Sequence, residues 1–272
     1  MPRKTEGSIR DVIWHPNHVQ ALGGFTVTLR GKQIRRWKAG RARQLFQFLL
    51  ANRGRPVPRT TLIEAIWGES AARCPDVSLK VAVCMLRSIL AEVNDADDPA
   101  CPPSLRIVSH PGSYALETDD TYVDVDEFER EISLGAAIET TDDNVEASRC
   151  YRRAVNLYTG PYLPECNESW AMIRRERLQD SLLHALDQLA ADSEQRGDQL
   201  EMFNLHQRML EIDPCREASY RALMRYHASA QQPSRVEHWY LTCVEQLQTR
   251  LGLEPDAETR RLFYEAISRQ LV

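Results

Sequence analysis

The sequence lacks three things at once: an apolar run long enough to cross a membrane, a close pair of cysteines, and any lysine after residue 80. The first absence argues against a membrane-spanning helix. The opening stretch MPRKTEGSIRDVIWHPN carries charge but no continuous apolar core of a secretory signal, so the expectation is a soluble, cytoplasmic protein with no membrane partner. The seven cysteines, at 74, 84, 101, 150, 166, 215 and 243, are odd in number and never form a CxxC pair. They read as reduced thiols, not as a disulfide framework or a zinc site. Signatures of chemistry are missing too. The chain has no GxxxxGK[ST], GxSxG, GxGxxG or HExxH, and its seven histidines fall at no metal-binding spacing. No nucleotide switch, metal or other cofactor is expected, and the chain reads as no enzyme.

The missing lysines point to what is present. All four, at 4, 32, 38 and 80, lie in the first half, where residues 1–118 hold 17 Lys and Arg against 10 Asp and Glu, a balance of +7. Residues 119–272 hold 17 against 29, or −12, and together the halves give the overall −5. A basic half joined to an acidic one implies that only the first approaches a polyanion. A length of 272 residues suits two domains, each able to bury its own core.

Residues 1–18 read as a polar tail. From Val19 the pattern becomes strand-like: Phe25, Val27 and Leu29 alternate with Thr26, Thr28 and Arg30, between Gly23-Gly24 and a Gly31-Lys32 turn. A first helix follows over Gly40–Ala51, with Ala42, Leu45, Phe46, Leu49 and Leu50 as its core stripe. Lys38, Arg41 and Arg43 gather at its N-terminus, where free N–H groups favour a phosphate. Asn52-Arg53-Gly54 closes it. A second helix, Arg59–Trp67, has Thr60 as its expected N-cap. The third, Pro75–Val93, is the centre of interest. Leu79, Val83, Leu86 and Leu90 make one face apolar, while Val77, Lys80, Val81, Cys84, Arg87 and Ser88 share the other. That second face suits either plain solvent or a DNA major groove. Two short strands within Leu105–Leu116 then flank the turn His110-Pro111-Gly112-Ser113.

Strands, three helices and a closing hairpin follow one another as in a winged helix. Leu22-Gly23-Gly24-Phe25, Gln44–Leu50, Leu62-Ile63-Glu64-Ala65-Ile66-Trp67-Gly68, Leu79–Leu86 with Arg87, and Gly112–Leu116 together resemble the OmpR/PhoB-type DNA-binding domain of Streptomyces antibiotic regulatory proteins, the SARP family. The resemblance implies base readout by helix 77–93 through Lys80, Val81, Cys84, Arg87 and Ser88. It also implies phosphate contacts from Lys38, Arg41, Arg43, Arg59, Thr60, Thr61 and Arg106, and a wing at 105–116 acting through Ser109, His110 and Tyr114. Arg87 and Tyr114 match the family. Met85, Ser88 and His110 stand where relatives often carry Arg, and Ser113 where a Gly usually precedes the wing tyrosine. Fewer cations imply weaker electrostatic binding, with the outward valines available to thymine methyl groups.

Past Asp119-Asp120 the chain reads as helical almost to its end, with Asp124 or Asp126 able to cap the first helix and turn markers recurring every 16 to 22 residues from Gly197. Aromatic residues such as Trp170, Tyr220, Trp239, Tyr240 and Phe263 read as packing, and the Arg pairs 152–153, 174–175 and 260–261 as either solvated or paired with nearby acids such as Glu176 and Glu258. Val123–Phe128, Tyr158–Leu163, Trp170 with Arg174 to Leu178, Asp213-Pro214 with Arg216-Glu217, and Leu251–Pro255 resemble the bacterial transcriptional activator domain of SARP-type regulators.

The expected architecture is multidomain: a polar tail (1–18), an α+β winged helix-turn-helix (19–118), and an all-α, tetratricopeptide-like domain (119–272). The family implies a transcriptional activator that binds promoter DNA repeats, as a homodimer or in tandem, and recruits RNA polymerase. The alternative is an interaction or effector-binding scaffold whose helical groove holds a peptide and whose winged helix reads DNA weakly.

Overall fold

A computed structural model describes residues 15–37, 40–68, 74–94, 103–139 and 144–268. The chain divides into two compact units. The first comprises the chain up to Asp126 together with Leu163–Met172, and the second Glu127–Tyr162 together with residues from Ile173 on.

The first unit opens with β1 (His18–Gln20), β2 (Thr26–Leu29) and β3 (Lys32–Gln33), joined as antiparallel neighbours. Alternation dictates the face: Val27 and Leu29 are buried, whereas Thr26 and Thr28 are only half-buried. Then come α1 (Gly40–Ala51), β4 (Val57–Pro58), α2 (Arg59–Trp67), α3 (Pro75–Asn94), β5 (Leu105–His110) and β6 (Ser113–Thr118). A three-stranded sheet of order β4-β6-β5 closes the three-helix core. Leu45, Phe46, Leu49, Leu62, Ile66, Leu79 and Leu86 are all essentially inaccessible, and α3 packs on both α1 and α2.

Two expectations change here. Thr60 does not cap α2: the helix starts at Arg59 after Pro58, which makes no side-chain cap bond. The start is fixed instead by the sheet, because Val57-Pro58 pairs with Tyr114 and Ser113 and the Arg59 N–H donates to Gly112 O at 3.0 Å. The boundary expected at 118/119 also moves. Tyr122–Val123 forms β7, which pairs in parallel with β1 and completes a sheet of order β3-β2-β1-β7. The Asp124 carboxylate accepts the N–H groups of Ala21 (2.8 and 2.9 Å), Leu22 (2.9 Å) and Val125 (2.7 Å). So it holds the N–H of the residue after it in α4 and anchors the strand region a hundred residues earlier. Asp126 pairs with Arg53, Leu163 N donates to Ala21 O, and Trp170 meets Phe48 edge-on, which draws both later segments into this unit.

The remaining helices are α4 (Asp124–Glu139), α5 (Asn144–Leu157), α6 (Ser169–Gln195), α7 (Gln199–Ile212), α8 (Glu217–Ser229), α9 (Pro233–Leu251) and α10 (Ala257–Ser268). Residues after 268 lie outside the described residues. In the second unit α7 packs on α8, and α9 and α10 pack on α8 and on each other, giving consecutive helical hairpins. Tyr220, Cys243 and Leu247 form one buried cluster, with Trp239 packed against it; Met224, Val236 and Ala266 form another. Tyr240 stacks on Phe263 at 4.0 Å, so these aromatics serve packing. The Arg pairs find acids both near and far in sequence: Arg153 reaches Glu146 at 3.8 Å and Arg261 reaches Glu265 at 3.7 Å. Arg152 bonds Glu201, Arg153 bonds Glu131, Arg174 bonds Glu129, and Glu258 serves Arg221 and Arg225 instead. Among the described residues no helix is long and apolar enough to cross a membrane, and no cluster of His, Cys, Asp and Glu is arranged to hold a metal ion.

Candidate nucleic-acid interface

Heptad-like spacing gives α3 two unlike faces, and the fold buries one of them. Leu79, Ala82, Val83, Leu86, Ile89 and Leu90 are at most 5% exposed, whereas Val77, Lys80, Val81, Cys84, Arg87 and Ser88 all reach solvent. The outward face therefore presents two valines, a thiol, a hydroxyl and two cations along one side of a 20-residue helix. A helix of this width fits a major groove.

The wing stands beside it. β5 and β6 pair from Leu105↔Thr118 to His110↔Ser113, leaving Pro111 and Gly112 as a two-residue turn. Proline presets its own backbone angle, and Gly112 has φ 74°, a conformation that side-chain-bearing residues resist. Arg87 ties helix to wing. Its Nε and Nη2 donate to Ile107 O at 3.2 and 2.9 Å, and Nη2 also donates to Ser109 Oγ at 2.9 Å.

The other expected contacts divide by what already holds them. Thr60 and Thr61 are exposed in the first turn of α2, with Arg59 half-buried beside them. The Arg59 guanidinium lies over the Tyr114 ring at 5.3 Å, and Tyr114 itself is 5% exposed, so it supports the wing from beneath. Ser109 is exposed and His110 half-exposed at the hairpin tip. Arg41 is exposed and donates to Ile66 O and, at 3.1 Å, to Gln44. Arg43 is 2.8 Å from Glu165 and stacks over Phe25. Arg106 pairs across the hairpin with Glu117 and reaches Asp119 at 3.6 Å. Lys38 lies outside the described residues. The structure thus brings Lys80, Val81, Cys84, Arg87, Ser88, Ser109 and His110 to one region, while Arg43 and Arg106 are engaged by acids. Val77 belongs with the first group, as one of the two outward valines expected to be available to thymine methyl groups. Its sequence signal was a valine on the polar side of an amphipathic helix.

This combination defines a winged-helix domain followed by an all-helical half. Residues 123–267 match the bacterial transcriptional activator domain, and residues 37–100 match the domain described as transcriptional regulatory protein, C terminal. The chain belongs to the bacterial transcriptional activator domain family, with the domain order of a SARP-type regulator. It is 28% identical over 245 residues to the transcriptional regulator RedD of Streptomyces coelicolor, a match covering 86% of this chain and 66% of RedD. It is 27% identical over 255 residues to the transcriptional regulatory protein MoaR1 of Mycobacterium tuberculosis, covering 92% of this chain and 78% of MoaR1. The chain thus spans just under two thirds of RedD. Among solved structures, Mycobacterium tuberculosis EmbR in complex with a low-affinity phosphopeptide shares the fold, with TM-score 0.72 and 21% identity over 94% of this chain and 66% of that one.

Proposed function

We propose that the chain is a sequence-specific DNA-binding transcriptional regulator that acts as an activator. One observation carries the reading: the outward face of α3, with Lys80, Val81, Cys84 and Ser88, lies beside a wing to which Arg87 bonds it. The +7 balance of residues 1–118 supplies the attraction to a polyanion that such a face requires. In this reading α3 enters the major groove, Arg59, Thr60, Thr61, Arg41 and Lys38 hold phosphates, and Ser109 and His110 touch the adjoining backbone or minor groove. Arg43 and Arg106 join only by exchanging their carboxylate partners for phosphate. The acidic helical half contacts RNA polymerase, and promoter repeats are bound by a homodimer or by copies in tandem, as the SARP resemblance implies.

The test is a salt-controlled titration on an operator selected from a random DNA pool. Lys80→Ala is expected to weaken specific binding by about 1–3 kcal/mol and relax one base position if Lys80 reads a base, or to flatten the salt dependence by roughly one phosphate if it does not. Equal binding to random and selected duplexes would favour the scaffold reading instead. Activation is checked with the full chain, because a fragment ending before Tyr122 loses β7 and the Asp124 anchor. Transcription in vitro from a template carrying the operator should rise with the wild type and not with Lys80→Ala. A fall with the wild type would make it a repressor.

A further inference from the structure

Granted the DNA-binding reading above, two features of α3 specify the kind of base edge it meets. The first is the commitment of Arg87. Bidentate readout of guanine needs two N–H groups aimed at one base. Arg87 already directs Nε and Nη2 at the Ile107 carbonyl, and Nη2 at the Ser109 hydroxyl as well. To read guanine with this edge it would have to release β5. The second feature is the exposure of Val77 (58%) and Val81 (47%), one helical turn apart, on the face opposite a fully packed core. Cys84, also exposed, continues the line. Water gains nothing from two valines there. Among base edges in the major groove, the apolar feature is the C5-methyl group of thymine.

We propose that α3 reads thymine methyl groups through Val77 and Val81, and that Arg87 is a positioning residue that braces the wing against the helix. Lys80, on the same face, supplies charge that seats this apolar line against DNA and not against an apolar protein surface. Residues four apart on a helix rise by about 6 Å, and base pairs by about 3.4 Å. The two methyl groups therefore belong to thymines within about two base steps of each other.

The experiment replaces each thymine of the selected operator singly by deoxyuridine, which removes the methyl group and leaves the hydrogen-bonding edge intact. The full chain is then titrated at fixed salt. Two positions within about two steps should each lose about fourfold in affinity, the effect of one buried methyl group. Val77→Ala should erase the sensitivity at one of them and Val81→Ala at the other. Both residues are exposed, so neither variant threatens the fold. Deoxyuridine duplexes that all bind as tightly as the parent, or an operator without thymine opposite the helix, would overturn the proposal. Arg87→Ala should weaken binding to every single-base variant by a common factor, and Ser109→Ala should do the same more mildly. Relaxed preference at one guanine in Arg87→Ala would make Arg87 a base reader and refute the bracing role. If the pool yields no preferred duplex, the DNA-binding reading itself fails. A preferred duplex indifferent to deoxyuridine defeats only the inference drawn from it.

Discussion

Replacing Asp124 by Asn tests how the first unit is closed. Its carboxylate is 9% exposed and accepts three backbone N–H groups, from Ala21, Leu22 and Val125, all themselves buried. Asparagine keeps one acceptor oxygen and turns an NH₂ group toward the remaining donors, which leaves one or two buried N–H groups unpaired. Each such group costs about 1–3 kcal/mol, so a loss of about 2 kcal/mol is expected at pH 7.5. The pH dependence sharpens the test. Burial raises the carboxyl pKa to about 6, outweighing the three N–H donors and the charge of His18 that pull it down. A raised carboxyl pKa means that the folded protein holds a proton that the unfolded chain has released. The wild type is therefore favoured at low pH, and this advantage disappears as pH rises from about 4 to 6, by up to about 3 kcal/mol. The destabilisation by Asp124→Asn should thus be largest near pH 4 and shrink as pH rises through 6. Urea unfolding of both full chains across that range, followed by tryptophan fluorescence, measures the difference. A difference that stays flat with pH, or a variant within about 0.5 kcal/mol of wild type throughout, would refute the reasoning.

Gly135→Ala should destabilise the second unit by about 1–3 kcal/mol in thermal unfolding, because the added Cβ would stand 2.8 Å from Tyr151 Cε1, on a ring only 1% exposed. Glu201 works in the opposite direction from Asp124. Although burial raises its pKa, bonds from Arg196, Arg152 and Ser193 prevail and hold it at about 2, so the stability it contributes is present above its ordinary pKa of 4.5 and is lost as pH falls toward 2. Glu201→Gln should accordingly be destabilised at pH 7 and converge on wild type at the acid end of a pH series of denaturant melts. Gly112→Ala, at φ 74°, should cost about 1–2 kcal/mol in chemical denaturation and weaken operator binding through the wing, whereas the same change at Gly40, which has open space around it, should leave the wing unaffected.

Much of the fold was legible because periodicity is local. Leu79, Val83, Leu86 and Leu90 mark α3 as amphipathic without any partner being known, and Pro111-Gly112 marks a turn by backbone preference alone. The outward set on α3 follows from the same geometry, since residues a turn apart must share a side. What those side chains bond is not a local matter. Arg87 meets a strand 20 residues later, Arg106 finds Glu117 only once the hairpin register is set, and Arg43 finds Glu165 only once a distant segment packs beside α1. These three cations thereby take partners that no local pattern indicates: a backbone carbonyl and a hydroxyl for Arg87, carboxylates for Arg43 and Arg106.

The sequence by itself determined the three helices between an opening strand region and a closing hairpin, the division of charge between the halves and the identity of the helix with an unburied face. These depend on composition and on spacings of a few residues, which any folded form must respect. Only the tertiary structure decided where the first unit ends, that Asp124 joins chain positions a hundred residues apart, and that Arg87 faces the wing. Long-range pairing settles such matters, because a buried N–H group or a carbonyl takes whichever donor or acceptor the fold brings within reach.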